Sequence, residues 1–172
     1  RNEDDADARF SQMPAFGEIL NEAQIKGLVD MIYTPLPKMP TWTVADMNAS
    51  HIMHNDPAGL PKTPQHKSDP LNLFTVVETG DHHVTILDGD TFTPLWRFKS
   101  RFALHGGAKY SPDGRFVYFA SRDGWVSKYD LYSFKPIAEI RVGINTRNIA
   151  VSSDGKWVLA GNYLPHSLVV LN

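Results

Sequence analysis

Hydrophobic and polar positions divide the chain into three textures. Near the N-terminus, Ile25, Leu28, Val29 and Ile32 recur at i, i+3, i+4 and i+7, the stripe of one helix face. Asn21-Glu22-Ala23-Gln24 just before it has the form of a capping box. Pro35 removes a donor and forces Thr34 out of helical geometry, so the helix is expected to end there. From Leu71 onward the period shortens. Residues 73–77, 84–87, 116–120, 125–129, 137–142, 157–160 and 168–171 read as strands. Asp88-Gly89, Asp113-Gly114, Asp123-Gly124 and Asp154-Gly155 punctuate them as turns. Between these textures, residues 35–70 hold seven of the chain's 12 prolines and read as a semi-rigid linker. Residues 42–54 within it are expected to hold a short ordered segment docked on a neighbour.

The strand region repeats. Asp88, Asp130 and Asn172 each close an apolar strand and lie 42 residues apart. Ser111-Pro112-Asp113-Gly114-Arg115-Phe116 recurs as Ser152-Ser153-Asp154-Gly155-Lys156-Trp157, 41 residues on. A period of about 40–45 residues with four short strands is the spacing of a β-propeller blade. The expected fold is therefore mostly β: about two and a half blades over 71–172, an incomplete ring, preceded by a helix.

Composition narrows the function. With 42% hydrophobic and 21% charged residues among 172, the chain is an ordinary globular one. A net charge of −2 supplies no electrostatic footprint for nucleic acid, and no apolar run is long enough to span a bilayer. The absence of cysteine removes disulfides, thiolate metal sites and a cysteine nucleophile from this stretch. The opening at Arg1 and the ending in an apolar run suggest an excerpt. No catalytic triad, P-loop, dinucleotide fingerprint or zinc motif is present.

What remains is a set of ligand-binding groups. His105, followed by Gly106-Gly107, has bare backbone beside it; it reads either as a metal ligand or as a loop histidine satisfied by a carbonyl. His82-His83 sits in a hairpin tip, where adjacent side chains point to opposite faces and share a metal poorly. His166 and Arg122 lie in repeat-equivalent turns, which gather on one face of a propeller. Arg122 and Arg147 read either as surface arginines or as clamps for the carboxylates of a polyanionic ligand. Met13, in Met13-Pro14-Ala15-Phe16-Gly17, reads either as packing or as a soft axial ligand.

Taken together these pieces resemble a known family. Met13-Pro14-Ala15-Phe16-Gly17, with Leu20-Asn21-Glu22-Ala23-Gln24-Ile25 and the helix after it, looks like the C-terminal end of a class I cytochrome c domain over 1–34. Asp69-Pro70-Leu71-Asn72-Leu73-Phe74, Ile86-Leu87-Asp88-Gly89-Asp90, Ala103-Leu104-His105 and Arg122-Asp123-Gly124-Trp125 look like landmarks of the first blades of a haem d1-binding propeller. In that order they resemble the cytochrome cd1 nitrite reductase family, from about Met13 to Asn172.

The resemblance implies His105 as proximal ligand of the d1-type iron and Met13 as ligand of the haem c iron. It also implies Arg122 and Arg147 on the macrocycle's carboxylates, and Tyr163 in its pocket. Thr79 stands where the nitrite reductases carry an arginine. That departure, with Thr146-Arg147-Asn148 and Asn162-Tyr163-Leu164-Pro165-His166, looks more like the biosynthetic branch, the dihydro-haem d1 dehydrogenases. By that likeness the expected activity is a periplasmic oxidoreductase acting on dihydro-haem d1, propionate to acrylate, with electrons passed to haem c. An electron acceptor and other haem d1 assembly proteins are the partners it implies. His166, His82 and His83 are the candidates for the catalytic proton carrier, without a motif to choose among them. Nitrite reduction to nitric oxide, a protein-binding propeller of the WD-repeat type, and a haem carrier without turnover are the alternatives. The haem c attachment motif Cys-x-x-Cys-His does not occur in this sequence.

Overall fold

The computed structural model describes residues 15–172, in two compact units that divide between Met39 and Pro40. Met13 lies outside the described residues. The first unit holds a short helix α1 (Phe16–Ile19) and the expected helix α2 (Glu22–Tyr33). The capping box is present in both directions: Gln24 N donates to Asn21 Oδ1 and Asn21 N donates to Gln24 Oε1, each at 3.0 Å. Thr34 is the C-cap, in extended geometry, as Pro35 requires. No helix among the described residues is long and apolar enough to cross a membrane.

The second unit is three antiparallel sheets, each a propeller blade or part of one. Blade I pairs β2 (Leu73–Glu78), β3 (His83–Asp88) and β4 (Pro94–Lys99) in that order. Blade II runs β5 (Leu104–Tyr110), β6 (Phe116–Ser121), β7 (Trp125–Asp130) and β8 (Lys135–Arg141). Blade III holds β9 (Asn145–Val151), β10 (Val158–Leu164) and β11 (Ser167–Leu171). Leu73↔Asp88 in blade I corresponds to Phe116↔Asp130 in blade II, so the sequence repeat is a repeat of register. The same correspondence makes β2, β6 and β10 equivalent, and β5 equivalent to β9.

The middle blade explains its own sequence. Along β6, Val117 and Phe119 pack towards blade I with Val84 and Ile86, while Tyr118 and Ala120 pack towards blade III with Val158 and Ala160. A strand covered on both sides reads as an unbroken apolar run rather than an alternating one. Burying a side chain such as Phe119 contributes about 1.5–3 kcal/mol. On the outer blades one side stays uncovered: Phe74 and Val76 on β2, Leu168 and Val170 on β11.

Carboxylate turns hold the blades at the same repeat positions. Asp130 is fully buried, and its carboxylate accepts from Arg115 Nε at 2.7 Å and from Ser133 N at 3.0 Å. At the hairpins, Phe116 N donates to Ser111 Oγ at 2.9 Å and Trp157 N to Ser152 Oγ at 3.0 Å.

The Pro-rich stretch is more ordered than its prolines suggest. Residues 40–70 form a strap along blade II, with helix α3 (Val44–Ser50) capped by Thr43 and strand β1 (Ile52–Met53) paired with β8. Trp42 Nε1 donates to Arg141 O at 2.9 Å, Asn55 Nδ2 to Pro136 O at 2.8 Å and Gln65 N to Tyr132 O at 2.8 Å. The physical reason is edge protection. The outer strand of a blade carries unpaired backbone groups, and the strap satisfies those of β8.

Candidate site at the inner strands

Blades II and III present the same local geometry on one rim. Leu104 pairs with Ser121, so the start of inner strand β5 lies beside the end of β6 and the turn that carries Arg122. In blade III, Asn145 and Thr146 of β9 pair with Leu164 and Asn162 of β10, which places Tyr163 beside the start of β9. By repeat position Thr79, Arg122 and Tyr163 are equivalents, one per blade, each just after the second strand or at its end. The sequence periodicity thus puts three unlike side chains at one recurring place.

His105 sits on β5 opposite Ala120 and is half-buried. With Val77, Thr79, Leu104, Gly106, Gly107, Phe119 and Ala120 it lines a cleft of about 210 Å³ between blades I and II. The bare backbone has the neighbouring strand beside it at Gly106 and open space beside it at Gly107. Gly106 takes φ +82° and Gly107 φ +72°, and the β5–β6 register slips between His105 and Lys109. A Cβ at Gly106 would fall 2.4 Å from Asn148 Oδ1 and 3.2 Å from Arg147 O. What comes close to the bare backbone is the neighbouring inner strand.

That approach brings Arg147 onto His105. Arg147 Nη1 lies 2.7 Å from His105 Nε2 and 3.0 Å from Nδ1. On its other side the guanidinium carbon is 5.9 Å from the centre of the Tyr163 ring, which is 57% exposed. His105, Arg147 and Tyr163 therefore form one contiguous group.

The arginines sort by partner. Arg97 pairs with Glu78 and Asp81, Arg101 with Glu139 and Arg115 with Asp130. Arg122 and Arg147 are exposed and make no ion pair with a carboxylate among the described residues. A guanidinium against the imidazole, at Arg147, and a second one on the turn whose backbone bonds Ala103, at Arg122, are a donor set for a ligand with carboxylates and a metal. No group of three or more His, Cys, Asp or Glu side chains that could hold a metal ion occurs among the described residues. The donor set fits a metal that brings its own equatorial ligands, as a tetrapyrrole does, and needs one axial imidazole.

The remaining candidates lie around that rim. His82, at φ +60°, leans on Phe102 with ring centres 5.2 Å apart, and its Nδ1 is buried without a hydrogen-bond partner among the described residues. His83 is tied to Asp81, with Nδ1 3.0 Å from the carbonyl and 3.3 Å from the carboxylate. His166 is exposed in the turn between β10 and β11. Sequence reasoning missed Val77 and Phe119 as cleft walls, because each reads as ordinary core within an apolar strand.

Comparison with known proteins gives the family. Residues 68–172 match the family model described as the cytochrome D1 heme domain. A dihydro-heme d1 dehydrogenase of Pseudomonas aeruginosa is 58% identical over 162 residues, covering 94% of this chain and 33% of that protein. A nitrite reductase of Stutzerimonas stutzeri is 26% identical over 160 residues, covering 89% of this chain and 28% of that protein. A solved structure of dihydro-heme d1 dehydrogenase NirN in complex with DHE superposes with a TM-score of 0.80 at 58% identity, covering 95% of this chain and 35% of that one. The chain thus spans about a third of the length of these relatives.

Proposed function

The chain belongs to the cytochrome d1 haem-domain family, and from that premise we propose that it is part of an oxidoreductase of haem d1 biosynthesis. The substrate in this reading is dihydro-haem d1. A propionate side chain loses two hydrogens and becomes an acrylate, releasing two electrons and two protons. Met13 would hold the iron of a haem c, which would supply an electron exit towards an external acceptor. The compartment is the periplasm.

The observation that carries the reading is the pairing of one cleft-lining imidazole with two guanidinium groups that have no carboxylate of their own among the described residues. His105 would hold the substrate's iron. Arg122 and Arg147 would receive its carboxylates as charge-assisted, two-pronged hydrogen bonds. Tyr163 would flank the pigment beside Arg147. Holding the ring system at these points orients the side chain that reacts, and fixed orientation is worth several kcal/mol of barrier. Of the three histidines offered as proton carriers, His82 has a buried ring nitrogen without a hydrogen-bond partner among the described residues, whereas His83 is committed to Asp81. A tetrapyrrole supplies the redox chemistry; the protein supplies position and charge.

The test uses the full-length protein with dihydro-haem d1 and an electron acceptor. Conversion of the absorption spectrum to that of the acrylate-bearing pigment is expected, and no conversion overturns the reading. Nitric oxide formed from nitrite by the reduced protein would move the assignment to nitrite reduction. In the same assay, His105→Ala is expected to alter the spectrum of the bound pigment. An unchanged spectrum at unchanged affinity would remove the iron-ligand role.

A further inference from the structure

We infer that Thr146 and Asn162 form a buried register lock that aims Arg147 and Tyr163 at the site, which makes both of them positioning residues. The inference rests on the reading of Arg147 as a carboxylate clamp and says what holds that clamp in place.

Strands β9 and β10 pair regularly from Val158↔Val151 to Gly161↔Asn148 and then lose step twice. Asn162 pairs with Thr146, which leaves Arg147 without a partner residue, and Leu164 pairs with Asn145, which leaves Tyr163 without one. Each is the extra residue of a β-bulge, the device by which a strand re-aims one side chain. Burial records the same slip. In a regular strand the residues facing one side are two apart. On β9 the buried Thr146 and Ile149 are three apart, with Arg147 and Asn148 both exposed between them. Without the bulge, alternation from Ile149 would turn Arg147 into the blade interface and Thr146 out of it. Both bulged residues belong to the site, and a single residue pair stands between them.

That pair is polar where its neighbours are not. Ile149, Val158 and Ala160 pack with Val142 at the interface of blades II and III, and Thr146 and Asn162 continue that face, 1% and 8% exposed. Thr146 Oγ1 donates to Asn162 Oδ1 at 2.6 Å. Asn162 Nδ2 donates to Val142 O at 2.9 Å and to Ser167 Oγ at 3.0 Å, so both amide hydrogens are used. An apolar pair tolerates a one-residue slip better than this one does, because a slip here leaves a buried amide and a buried hydroxyl unpaired. The lock also reaches the other arginine. Val142 N donates to Gly124 O at 2.8 Å, and a Cβ on Gly124 would overlap Gly143 O. The segment that Asn162 holds therefore rests backbone to backbone against the turn that carries Arg122.

The experiment compares Thr146→Val, which keeps the shape and drops the hydroxyl, with Thr146→Ser, which keeps the hydroxyl, in full-length protein. Ferric haem d1 is titrated by its absorption spectrum, and amide hydrogen exchange over 145–148 is read against β6 as internal reference. Thr146→Val is expected to weaken pigment binding ~10-fold, while Thr146→Ser stays within about threefold of the parent. Exchange over 145–148, relative to β6, is expected to rise severalfold in Thr146→Val and not in Thr146→Ser. In an Arg147→Ala background Thr146→Val is expected to cost less than about twofold, because its effect passes through that guanidinium. Equal weakening in both backgrounds overturns the positioning role, as does a loss of stability with affinity and relative exchange unchanged. Should Thr146→Val fold poorly, Thr146→Ala carries the same comparison. If Arg147→Ala alone binds the pigment as tightly as the parent, the clamp reading fails, and the lock's part in binding with it. If Arg147→Ala binds weakly while Thr146→Val matches the parent in affinity and exchange, the lock alone fails.

Discussion

A methyl group placed on Gly106 of β5 would lie 2.4 Å from the side-chain oxygen of Asn148 on β9. The tip of the Asn148 side chain fills the space a side chain on Gly106 would need, and the nearest backbone atom of β9, Arg147 O, is 3.2 Å from that point. Gly107, next in sequence, has only Lys109 Nζ at 3.8 Å from its would-be Cβ. Both glycines have positive φ, so alanine is strained at either.

The pair makes a controlled prediction. Gly107→Ala is expected to cost about 1 kcal/mol of stability from backbone strain. Gly106→Ala is expected to cost about 0.5–1.5 kcal/mol more, since the Asn148 side chain must turn away and give up the hydrogen bond its Oδ1 accepts from Ile149 N. It should also weaken haem d1 binding by ~10-fold, the equivalent of 1.4 kcal/mol, while Gly107→Ala leaves affinity within a factor of about three. Urea unfolding and spectral titration of the full-length protein measure the two effects separately.

Glu139 ties the strap to the junction of blades I and II. Its carboxylate accepts from Arg101 Nη2 at 2.7 Å and Ser127 Oγ at 2.8 Å, and lies 3.1 Å from His54 Nε2. Burial pushes the carboxyl up, but the hydrogen bonds from Arg101, His54 and Ser127 outweigh it and hold the group below the usual carboxylate range. A depressed folded value means the stabilisation is present above the unfolded value, ordinarily 4.5, and is lost as pH falls through the folded one. Glu139→Gln should therefore cost about 2 kcal/mol at neutral pH, less than a fully buried pair because Arg101 is 30% exposed. The gap between variant and parent should start to narrow near pH 4.5 and go on closing as pH falls through the lower folded value, and a gap that does not narrow with acidification in urea melts refutes the assignment.

Asp130 has no exposed surface and carries the Arg115 pair. Asp130→Ala leaves a guanidinium that is 16% exposed without its carboxylate, at an expected cost of about 3–5 kcal/mol. At the equivalent position of blade I, Asp88 is half-buried, and hydrogen bonds from Ser68 and the Thr91 backbone lower its carboxyl to about 2. Asp88→Ala should be the milder change. Comparing denaturation midpoints of the two variants checks the order.

Arg122 is exposed and engages no protein carboxylate among the described residues, so Arg122→Ala should alter stability by no more than about 0.5 kcal/mol. Haem d1 affinity should fall ~10-fold, and its dependence on salt should become shallower. Unchanged affinity across the salt range would remove Arg122 from the carboxylate clamp.

Parts of this architecture were open to direct reading. The capping box, the helix stop before Pro35 and the 42-residue spacing of Asp88, Asp130 and Asn172 all depend on contacts a few residues apart or on repetition, and the structure reproduces each. Strands β4, β5 and β9 escaped the same reading. Leu104–Tyr110 contains two glycines with positive φ, and Asn145–Val151 opens with four polar residues, because inner strands face the centre of a propeller rather than a neighbouring sheet. Strand β1 was hidden by the prolines around it, since its only partner is the edge of β8.

The chain's own order of residues therefore determined the blade repeat, its turns, and the presence of an imidazole and two arginines near equivalent turns. Short-range spacing and backbone chemistry are enough for that. Only the tertiary structure decided that Arg147 touches His105 and that Arg122 and Arg147, unlike Arg97, Arg101 and Arg115, have no carboxylate partner among the described residues. Such pairings join positions 42 residues apart across separate sheets, and no local pattern encodes the distance between two strands that meet through a glycine.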